Sequence, residues 1–269
     1  MPFIQVNDLE LFYCEKGSGP PLLLIMGFSA NSDWWPEAFV DGMAKHFRVL
    51  SIDNRSAGRT TAGQYPFTIA QAAEDSLSFL DAMGIEKAHV FGISMGGMIA
   101  QAMAARQGHR IDKLILGCTM PRPRTGFLSG LPRQIWLALQ YLWNKDVRSR
   151  PWLVNIMFSR AFLAQHPEIT RQFIQMTQLA KIKPKAWWRQ LFAMLCFNGM
   201  PHLASIKNPT LILVGTEDLL ISPRQSSILQ KHIPQAKIYS FQGLGHGFVG
   251  EAPQEVQDQI LTFLLHPPS

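Results

Sequence analysis

Along this chain, largely apolar runs alternate with segments whose apolar residues recur at helical spacing. The run Pro21–Met26 is apolar throughout, and similar runs follow at Arg48–Ile52, Lys87–Ile93 and Lys113–Gly117. Continuous apolar runs of this length are typical of strands buried on both faces of a sheet. Between two of them, residues 69–83 carry an apolar stripe that predicts an amphipathic helix. Strands alternating with helices predict a mostly parallel sheet covered by helices on both faces.

This alternation stops after Met120 and resumes only near residue 210. The intervening residues contain helix-prone stretches rich in Trp, Met and Arg, and we find no strand-like run among them. We therefore predict an α/β core formed by residues 1–119 and 207–269, with a helical insertion at residues 120–206.

Shorter β-prone runs near the two ends of the chain complete the expected sheet. Phe3–Val6 and Leu9–Cys14 flank an Asn-Asp turn and predict a hairpin. After the insertion, Thr210–Val214 and Lys237–Phe241 are strand-like and are followed by helical patterns. Together with the four central runs they predict a mostly parallel, eight-stranded α/β sheet.

One stretch, Gly92-Ile93-Ser94-Met95-Gly96-Gly97, joins a predicted strand directly to a predicted helix. Gly-x-Ser-x-Gly in that context is the nucleophile elbow, a strained turn that holds a serine hydroxyl clear of the sheet. The alternative is a glycine-lined turn that only packs the helix closely on the strand. Because the strand and the helix that the motif requires are both expected, we interpret Ser94 as a nucleophile.

A serine nucleophile needs a base to take its proton and an acid to orient that base. Among eight histidines, His246 is distinguished by glycines on both sides and by its position just after a predicted strand. Asp218 follows the strand before that one, although a solvated helix cap is the alternative for any Asp there. The three residues follow one another along the chain in the order Ser94, Asp218, His246.

These motifs, in this order, resemble the α/β-hydrolase superfamily, and the resemblance extends over nearly the whole chain. Among its branches, the sequence is most similar to small bacterial carboxylic-ester hydrolases, which include methylesterases and 3-oxoadipate enol-lactonases. The resemblance implies that residues 120–206 form the lid of this family. The matching stretches are Gly92–Gly97, Asp53–Arg59, Gly215–Asp218 and Gly245–Gly247.

The resemblance also implies an oxyanion hole and a substrate pocket. We expect the backbone N–H groups of Phe28 and Met95 to bind the oxyanion. Many relatives carry His-Gly where this chain has Met26-Gly27, but that His is commonly structural, so the N–H of Phe28 is retained. The side chains that we expect in the substrate pocket are Trp34, Trp35, Leu220 and Phe248.

The expected activity is the hydrolysis of carboxylic esters of a small or lipid-like substrate through an acyl-enzyme. Ser94 would attack the carbonyl, His246 would act as general base and then general acid, and Asp218 would orient His246. No metal and no organic cofactor are implied. The same triad also serves lactonases, thioesterases and C–C bond hydrolases, and some relatives keep the fold as non-catalytic ligand receptors. Turnover of a short ester distinguishes an enzyme from a receptor.

The net charge of +6 is concentrated in the predicted insertion. From Pro121 to Lys207 there are 13 Lys and Arg against two acidic residues, a balance of +11, together with five of the seven Trp. We favour a lid whose cations face water while its apolar faces cover a site for a small-molecule ester. The alternative is weak peripheral contact with anionic membranes. We see no nucleic-acid recognition module, and the oligomeric state stays open.

The cysteines and the N-terminus bear on the cellular compartment. Cys14, Cys118 and Cys196 are far apart and lack metal-ligand spacing, so we interpret them as small buried residues in a reducing compartment. The N-terminus shows no basic region followed by an apolar core, and no run approaches the roughly 18 apolar residues that span a bilayer. We therefore expect a cytoplasmic protein.

Overall fold

The computed structural model of the chain describes residues 2–123, 151–179 and 182–266, and an eight-stranded sheet lies at its centre. The spatial order is β1-β2-β4-β3-β5-β6-β7-β8; β2 pairs antiparallel with β1 and β4, and the remaining pairs are parallel. The mostly parallel eight-stranded sheet predicted from the sequence is thus confirmed. The strands are β1 (Phe3–Val6), β2 (Leu9–Lys16), β3 (Pro21–Ile25), β4 (Arg48–Ile52), β5 (Ala88–Ile93), β6 (Ile111–Gly117), β7 (Thr210–Gly215) and β8 (Ala236–Phe241).

Helices follow or separate the strands. Those before β6 are α1 (Glu37–Ala44), α2 (Ile69–Ala82) and α3 (Met95–Gln107). Between β6 and β7, the described residues form α4 (Pro151–Met157), α5 (Arg160–Gln165), α6 (Glu168–Leu179) and α7 (Pro184–Cys196), followed by a 3₁₀ helix at Met200–Ser205. Those after β7 are α8 (Arg224–His232), α9 (Phe248–Glu251) and α10 (Pro253–Leu265).

The described residues from the start of α4 to the end of the 3₁₀ helix, 151–179 and 182–205, are called the helical segment below. They lie within the predicted insertion, residues 120–206, and contain helices in the structure. Residues 124–150 of that insertion lie outside the described residues. The division of the chain into a core domain and a lid domain stays a prediction.

Each central strand is buried on both faces, which is why its sequence is apolar at nearly every position. Leu22 and Leu24 of β3 belong to a cluster that includes residues of α1 and α10. Leu23 and Ile25, which point the other way, belong to a second cluster that includes residues of α2 and α3. All four side chains are fully buried. Full burial of such a side chain contributes about 1.5–3 kcal/mol, so the sheet is stabilised from both sides.

The ends of α2 lie where its capping residues stand in the sequence. The Thr68 hydroxyl accepts a hydrogen bond from the N–H of Gln71 at 2.9 Å, which satisfies one of the unpaired donors of the first turn. Gly84, with φ +66°, follows the last helical turn in the left-handed conformation that glycine adopts most readily. Both features agree with the local sequence pattern.

A buried ion network joins the loop after β4 to the β1–β2 turn and to α2. The Arg55 side chain is fully buried and donates to Asp75 at 2.7 Å and to Asp8 at 2.8 Å. The Arg55 guanidinium holds the pKa of Asp8 well below its usual range. Loss of one partner from such a buried pair typically costs roughly 3–5 kcal/mol, because the other charge is left uncompensated.

The same loop positions residues that face the candidate site. The fully buried Asp53 accepts hydrogen bonds from the N–H groups of Ser32 at 2.7 Å and Arg59 at 2.8 Å. Ser32 begins a short 3₁₀ helix that ends at Trp34. Asp53 therefore anchors the segment that carries Trp34 and Trp35.

Two of the three cysteines are not where the sequence interpretation put them. Cys118 is buried as expected, but Cys14 and Cys196 are exposed. Cys14 lies in the half of β2 where the side chains are mostly exposed, and Cys196 ends α7. Among the described residues, no helix combines the length and the apolar character needed to cross a bilayer.

Candidate active site

Ser94 occupies the turn between β5 and α3 in a backbone conformation that side chains rarely adopt. Its φ is +56° and its ψ is −119°. A non-glycine residue in such a region stores about 1–3 kcal/mol of strain and persists only where its surroundings hold it. Here the N–H of Ser94 donates to the carbonyl of Gly117 at 2.8 Å, and the Thr119 hydroxyl donates to the carbonyl of Ser94 at 2.7 Å.

The glycines around Ser94 are required by close backbone packing. A Cβ on Gly96 would overlap the carbonyl oxygen of Ile25 in β3, and a Cβ on Gly92 would overlap the carbonyl oxygen of Gly96. A Cβ on Gly97 would lie 2.6 Å from the Cβ of Thr119. The first turn of α3 therefore lies directly against β3 and β5, and this packing fixes the direction of Ser94.

His246 and Asp218 contact each other beyond the ends of β8 and β7. The Nδ1 of His246 donates a hydrogen bond to Oδ2 of Asp218 at 2.7 Å, and both residues are buried. The other carboxylate oxygen of Asp218 accepts from the N–H groups of Leu220 and Ile221, each at 2.8 Å. Three donors thus hold the Asp218 carboxylate, and with Nδ1 protonated the Nε2 of His246 is left as an acceptor.

Glu217 precedes Asp218 but does not share its environment. Glu217 is exposed, and its backbone N–H donates to the carbonyl of Leu244 at 2.8 Å. The loops after β7 and β8 lie so close that a Cβ on Gly215 would overlap the carbonyl oxygens of Leu244 and Gly245. This approach brings Asp218, and not Glu217, into contact with His246.

The loop after β3 runs beside Ser94. A Cβ placed on Gly27 would lie 3.1 Å from the Cβ and 3.6 Å from the Oγ of Ser94. Phe28 is the next residue. Met95 begins α3, where the N–H groups of the first turn have no acceptor in a preceding turn. The two expected oxyanion donors thus belong to backbone on either side of Ser94.

A cavity of about 900 Å³ opens onto Ser94 and His246. Of the four expected pocket residues, Trp34, Trp35 and Leu220 line it. Phe248 is not among the lining residues; its side chain is fully buried and stacks on Phe241 with ring centroids 5.1 Å apart. The expectation for Phe248 is corrected, because the ring packs into the hydrophobic cluster that also contains residues of α1 and α10.

The helical segment covers the cavity through aromatic and polar contacts with the core. Trp187 of α7 lies edge-on to Phe28 with centroids 5.1 Å apart, and Phe173 of α6 lies edge-on to Trp34 at 5.2 Å. The buried Gln190 of α7 accepts a hydrogen bond from the N–H of Ser29 at 2.9 Å.

Two polar residues of this region were not singled out from the sequence. Gln190 holds the loop after β3, and Glu251 of α9 accepts a hydrogen bond from the N–H of Gly245, beside His246, at 2.8 Å. An isolated Gln or Glu in a helical pattern carries no local signal of such a contact. Only the approach of distant chain segments gives these residues their partners.

Cys118 lies beside the His246–Asp218 pair, and these three residues are the one group of possible metal ligands found in the described part of the chain. One ligand atom from each lies within 4.8 Å of the others. However, the direct hydrogen bond between His246 and Asp218 already uses a nitrogen and an oxygen of this group. Burial also raises the pKa of the Cys118 thiol, which disfavours the thiolate that metals bind. The group does not fit a metal centre.

Comparison with known proteins identifies the class to which this fold and site belong. The sequence matches the family model for the alpha/beta hydrolase fold over residues 20–253, which is most of the chain. The chain belongs to the α/β-hydrolase family, and it is a hydrolase.

The names of similar proteins refer to the hydrolysis of different bonds. The chain is 26% identical over 268 residues to a putative carbamate hydrolase, RutD, of Azorhizobium caulinodans, and 98% of each chain is covered. It is 27% identical over 249 residues to a poly(3-hydroxyalkanoate) depolymerase of Ectopseudomonas oleovorans, covering 91% of this chain and 84% of that protein. The enol-lactonase of Burkholderia xenovorans LB400 superposes with a TM-score of 0.86 at 25% identity, covering 98% of this chain and all of the other. The predicted superfamily and branch are confirmed.

The close packing of α3 predicts an unusual response to Gly96→Ala. In most helices, replacing glycine by alanine stabilises by about 1 kcal/mol. Here the added methyl group overlaps the carbonyl oxygen of Ile25, so the helix or the strand must move. Overpacking that forces such a backbone movement typically costs about 1–3 kcal/mol of stability. We expect Gly96→Ala to lower the melting temperature. In the helical control Gly250→Ala the nearest neighbour of the new Cβ lies 3.5 Å away, so no loss is expected. Equal melting temperatures for Gly96→Ala and the parent protein would contradict this account.

Proposed function

We propose that this hydrolase cleaves carboxylic esters through a covalent acyl-enzyme formed on Ser94. The observation that carries the proposal is the buried hydrogen bond of 2.7 Å between His246 and Asp218, beside a cavity that also opens onto a strained serine. A base oriented by a carboxylate beside a cavity that a serine lines is the arrangement that activates serine for attack on a carbonyl.

In the first half of the reaction, Oγ of Ser94 attacks the ester carbonyl while Nε2 of His246 takes the hydroxyl proton. The tetrahedral intermediate then collapses, and the imidazolium gives that proton to the departing alcohol. In the second half, water attacks the acyl-enzyme with His246 again as base, and the carboxylic acid leaves as Ser94 recovers its proton. Each proton that His246 accepts is returned, so the enzyme ends unchanged.

Asp218 orients His246 and stabilises the imidazolium that forms in each half-reaction. Its carboxylate is held by two backbone N–H groups in addition to His246. These donors fix the carboxylate in one position. The Nδ1 of His246 therefore keeps its proton, and Nε2 is free to accept the proton of the Ser94 hydroxyl.

The N–H groups of Phe28 and Met95 are the proposed oxyanion donors. Support comes from the loop after β3, which approaches Ser94 closely at Gly27, and from the start of α3 at Met95. An N–H at a helix N-terminus is unpaired and lies at the positive end of the helix dipole, so it favours developing negative charge.

Other carbonyl substrates remain alternatives within the same mechanism. In a lactone the leaving alcohol stays attached to the acyl group, and in a thioester a thiolate leaves instead of an alkoxide. C–C bonds beside a carbonyl and carbamates would also be attacked at a carbonyl carbon. A ligand receptor that keeps the fold is the alternative of another class. Hydrolysis of a p-nitrophenyl ester separates the receptor from all of the enzymes.

We predict that a fluorophosphonate probe labels Ser94 and no other residue, because only a serine paired with a base reacts rapidly. Peptide mapping of the labelled protein measures this. Ser94→Ala should abolish both labelling and ester turnover while leaving the melting temperature nearly unchanged. An adduct on another residue, or full turnover by Ser94→Ala, would overturn the assignment of the nucleophile.

A second prediction concerns the orienting acid. Asp218→Asn should lower kcat by about 10²–10⁴, because an amide does not hold the same tautomer of His246. Glu217→Gln is the matched control, since it makes the same change on the neighbouring exposed residue and should alter kcat little. Steady-state kinetics with p-nitrophenyl butyrate compare the two variants. A larger effect of Glu217→Gln would make Glu217 the acid.

A further inference from the structure

The size of the cavity over Ser94 bears on which acyl groups the site accepts. Its volume of about 900 Å³ lies near the upper end of the range of roughly 300–1,000 Å³ found for small-molecule sites. An acetyl group would leave most of this space unfilled. The apolar surface that a substrate buries there therefore grows with the acyl chain, and so does the hydrophobic stabilisation.

The walls contributed by the helical segment are uncharged and mostly apolar, with Gln172 and Thr177 as polar members. The side chains that line it from α4, α6 and α7 include Leu153, Ile156, Phe173, Met176, Leu191 and Met194. Methionine is flexible and polarizable and adapts to ligands of irregular shape. Such walls suit a hydrocarbon chain.

Among the described residues that line the cavity, the charged side chains other than His246 are acidic. Besides His246, the charged residues among the described lining residues are Asp33 and Glu37, and no Lys or Arg is among them. The cations at the start of α7, Lys183 and Lys185, are exposed and do not line the cavity. Asp33 is itself paired with Arg59 at 2.6 Å. A carboxylate on the far end of a bound acyl group would therefore be desolvated without a cationic partner among these residues.

We propose that the enzyme selects uncharged acyl groups of medium or long chain length and rejects acyl groups that end in a carboxylate. This selectivity deepens the proposed ester hydrolysis and rests on it. An unpaired carboxylate in an apolar site loses its hydration without compensation, so the discrimination should be large. The substrate class is thus a neutral, lipid-like ester rather than an ester or lactone of a dicarboxylic acid.

A matched pair of substrates tests this selectivity. p-Nitrophenyl octanoate and mono-p-nitrophenyl suberate have acyl chains of equal length, but only the second ends in a carboxylate. We expect kcat/KM to be at least about 100-fold higher for octanoate, and capping the suberate carboxylate as a methyl ester should restore most of the loss. The kcat/KM for p-nitrophenyl octanoate should also exceed that for p-nitrophenyl acetate. Equal values for octanoate and suberate would overturn the proposal.

Binding to Ser94→Ala separates this proposal from the proposed function. Quenching of tryptophan fluorescence by each ester measures affinity without turnover, because Trp34 and Trp35 line the cavity. Tighter binding of octanoate than of suberate supports the selectivity even if the ester chemistry is wrong. Equal binding overturns the selectivity even if the esters are hydrolysed.

A cation placed in the cavity should weaken the preference for the uncharged acyl group. Met176 is half-buried on α6, and Met176→Lys would offer an ammonium group to the suberate carboxylate. We expect the ratio of octanoate to suberate kcat/KM to fall at least about tenfold, with rates expressed per fluorophosphonate-labelled site so that misfolded protein does not count. An unchanged ratio would show that charge is not the cause of the discrimination.

A different observation concerns the loop that carries His246. The Glu251 carboxylate accepts the N–H of Gly245 at 2.8 Å with one oxygen and the N–H of Ser159 at 3.2 Å with the other. Ser159 caps α5 in the helical segment, because its hydroxyl accepts from the N–H of Phe162. The N–H of Gly247 donates to the carbonyl of Met157 at 2.6 Å. The residues on both sides of His246 are therefore joined to the helical segment.

The loop lies so close to the helical segment that neither glycine beside His246 could carry a side chain without a close contact. A Cβ on Gly245 would lie 2.9 Å from the carbonyl oxygen of Met157, and a Cβ on Gly247 would lie 2.7 Å from the Phe158 ring. We infer that Glu251 is a positioning residue that aligns His246 by joining its loop to the turn between α4 and α5. This inference rests on the proposed role of His246 as the base.

Glu251→Gln tests this role, because an amide replaces one acceptor oxygen by a donor while keeping the size of the side chain. We expect kcat per labelled site to fall about 10- to 100-fold with little change in KM, since displacement of a catalytic group by about 1 Å costs up to 10²-fold. Glu255→Gln, on the exposed face of α10, is the control and should have no effect. A lower melting temperature with unchanged kcat per labelled site would show that Glu251 only stabilises the fold, and it would overturn the positioning role.

The low-field proton resonance of the His246–Asp218 hydrogen bond reports the same alignment without any turnover. We expect Glu251→Gln to shift or broaden this resonance and Glu255→Gln to leave it unchanged. An unperturbed resonance in Glu251→Gln would overturn the positioning role whether or not the protein hydrolyses esters.

Discussion

The candidate site depends on the absence of side chains where α3 meets β3 and β5. At Gly96 the backbone of the first helical turn lies against the carbonyl of Ile25, at a distance that no Cβ allows. This contact, together with the hydrogen bonds from Ser94 to Gly117 and from Thr119 to Ser94, holds the serine at a positive φ. The local strain is maintained by strands that are buried on both faces and resist displacement.

The parallel order of the central strands then brings the remaining site residues to one edge of the sheet. β5, β6, β7 and β8 are neighbours and run in the same direction, so the loops after β5, β7 and β8 open on the same side. Asp218 and His246 lie in two of these loops, in direct contact and away from solvent. Burial strengthens their hydrogen bond and makes the position of each partner depend on the other.

The helical segment contributes to the site from the opposite side. α6 and α7 place apolar side chains over the cavity, while the cations Lys183 and Lys185 at the start of α7 face solvent. An amphipathic helix can therefore carry exposed cations and still present an uncharged wall to a ligand. Gln190 and Glu251 join this segment to the loops beside Ser94 and His246, so that cavity and site form one packed unit.

The sequence by itself determined all eight strands, the limits of α2 and the turn at Ser94, because strand burial, helix capping and glycine packing each impose a local pattern. The sequence favoured Asp218 as the acid, but only the tertiary structure separates its environment from that of the neighbouring Glu217, because the approach of another loop brings Asp218 alone into contact with His246. The tertiary structure also turned Phe248 into the core, exposed Cys14 and Cys196, and gave Glu251 its two partners. These outcomes depend on contacts between residues far apart in the chain, and no periodic pattern in the sequence records such contacts.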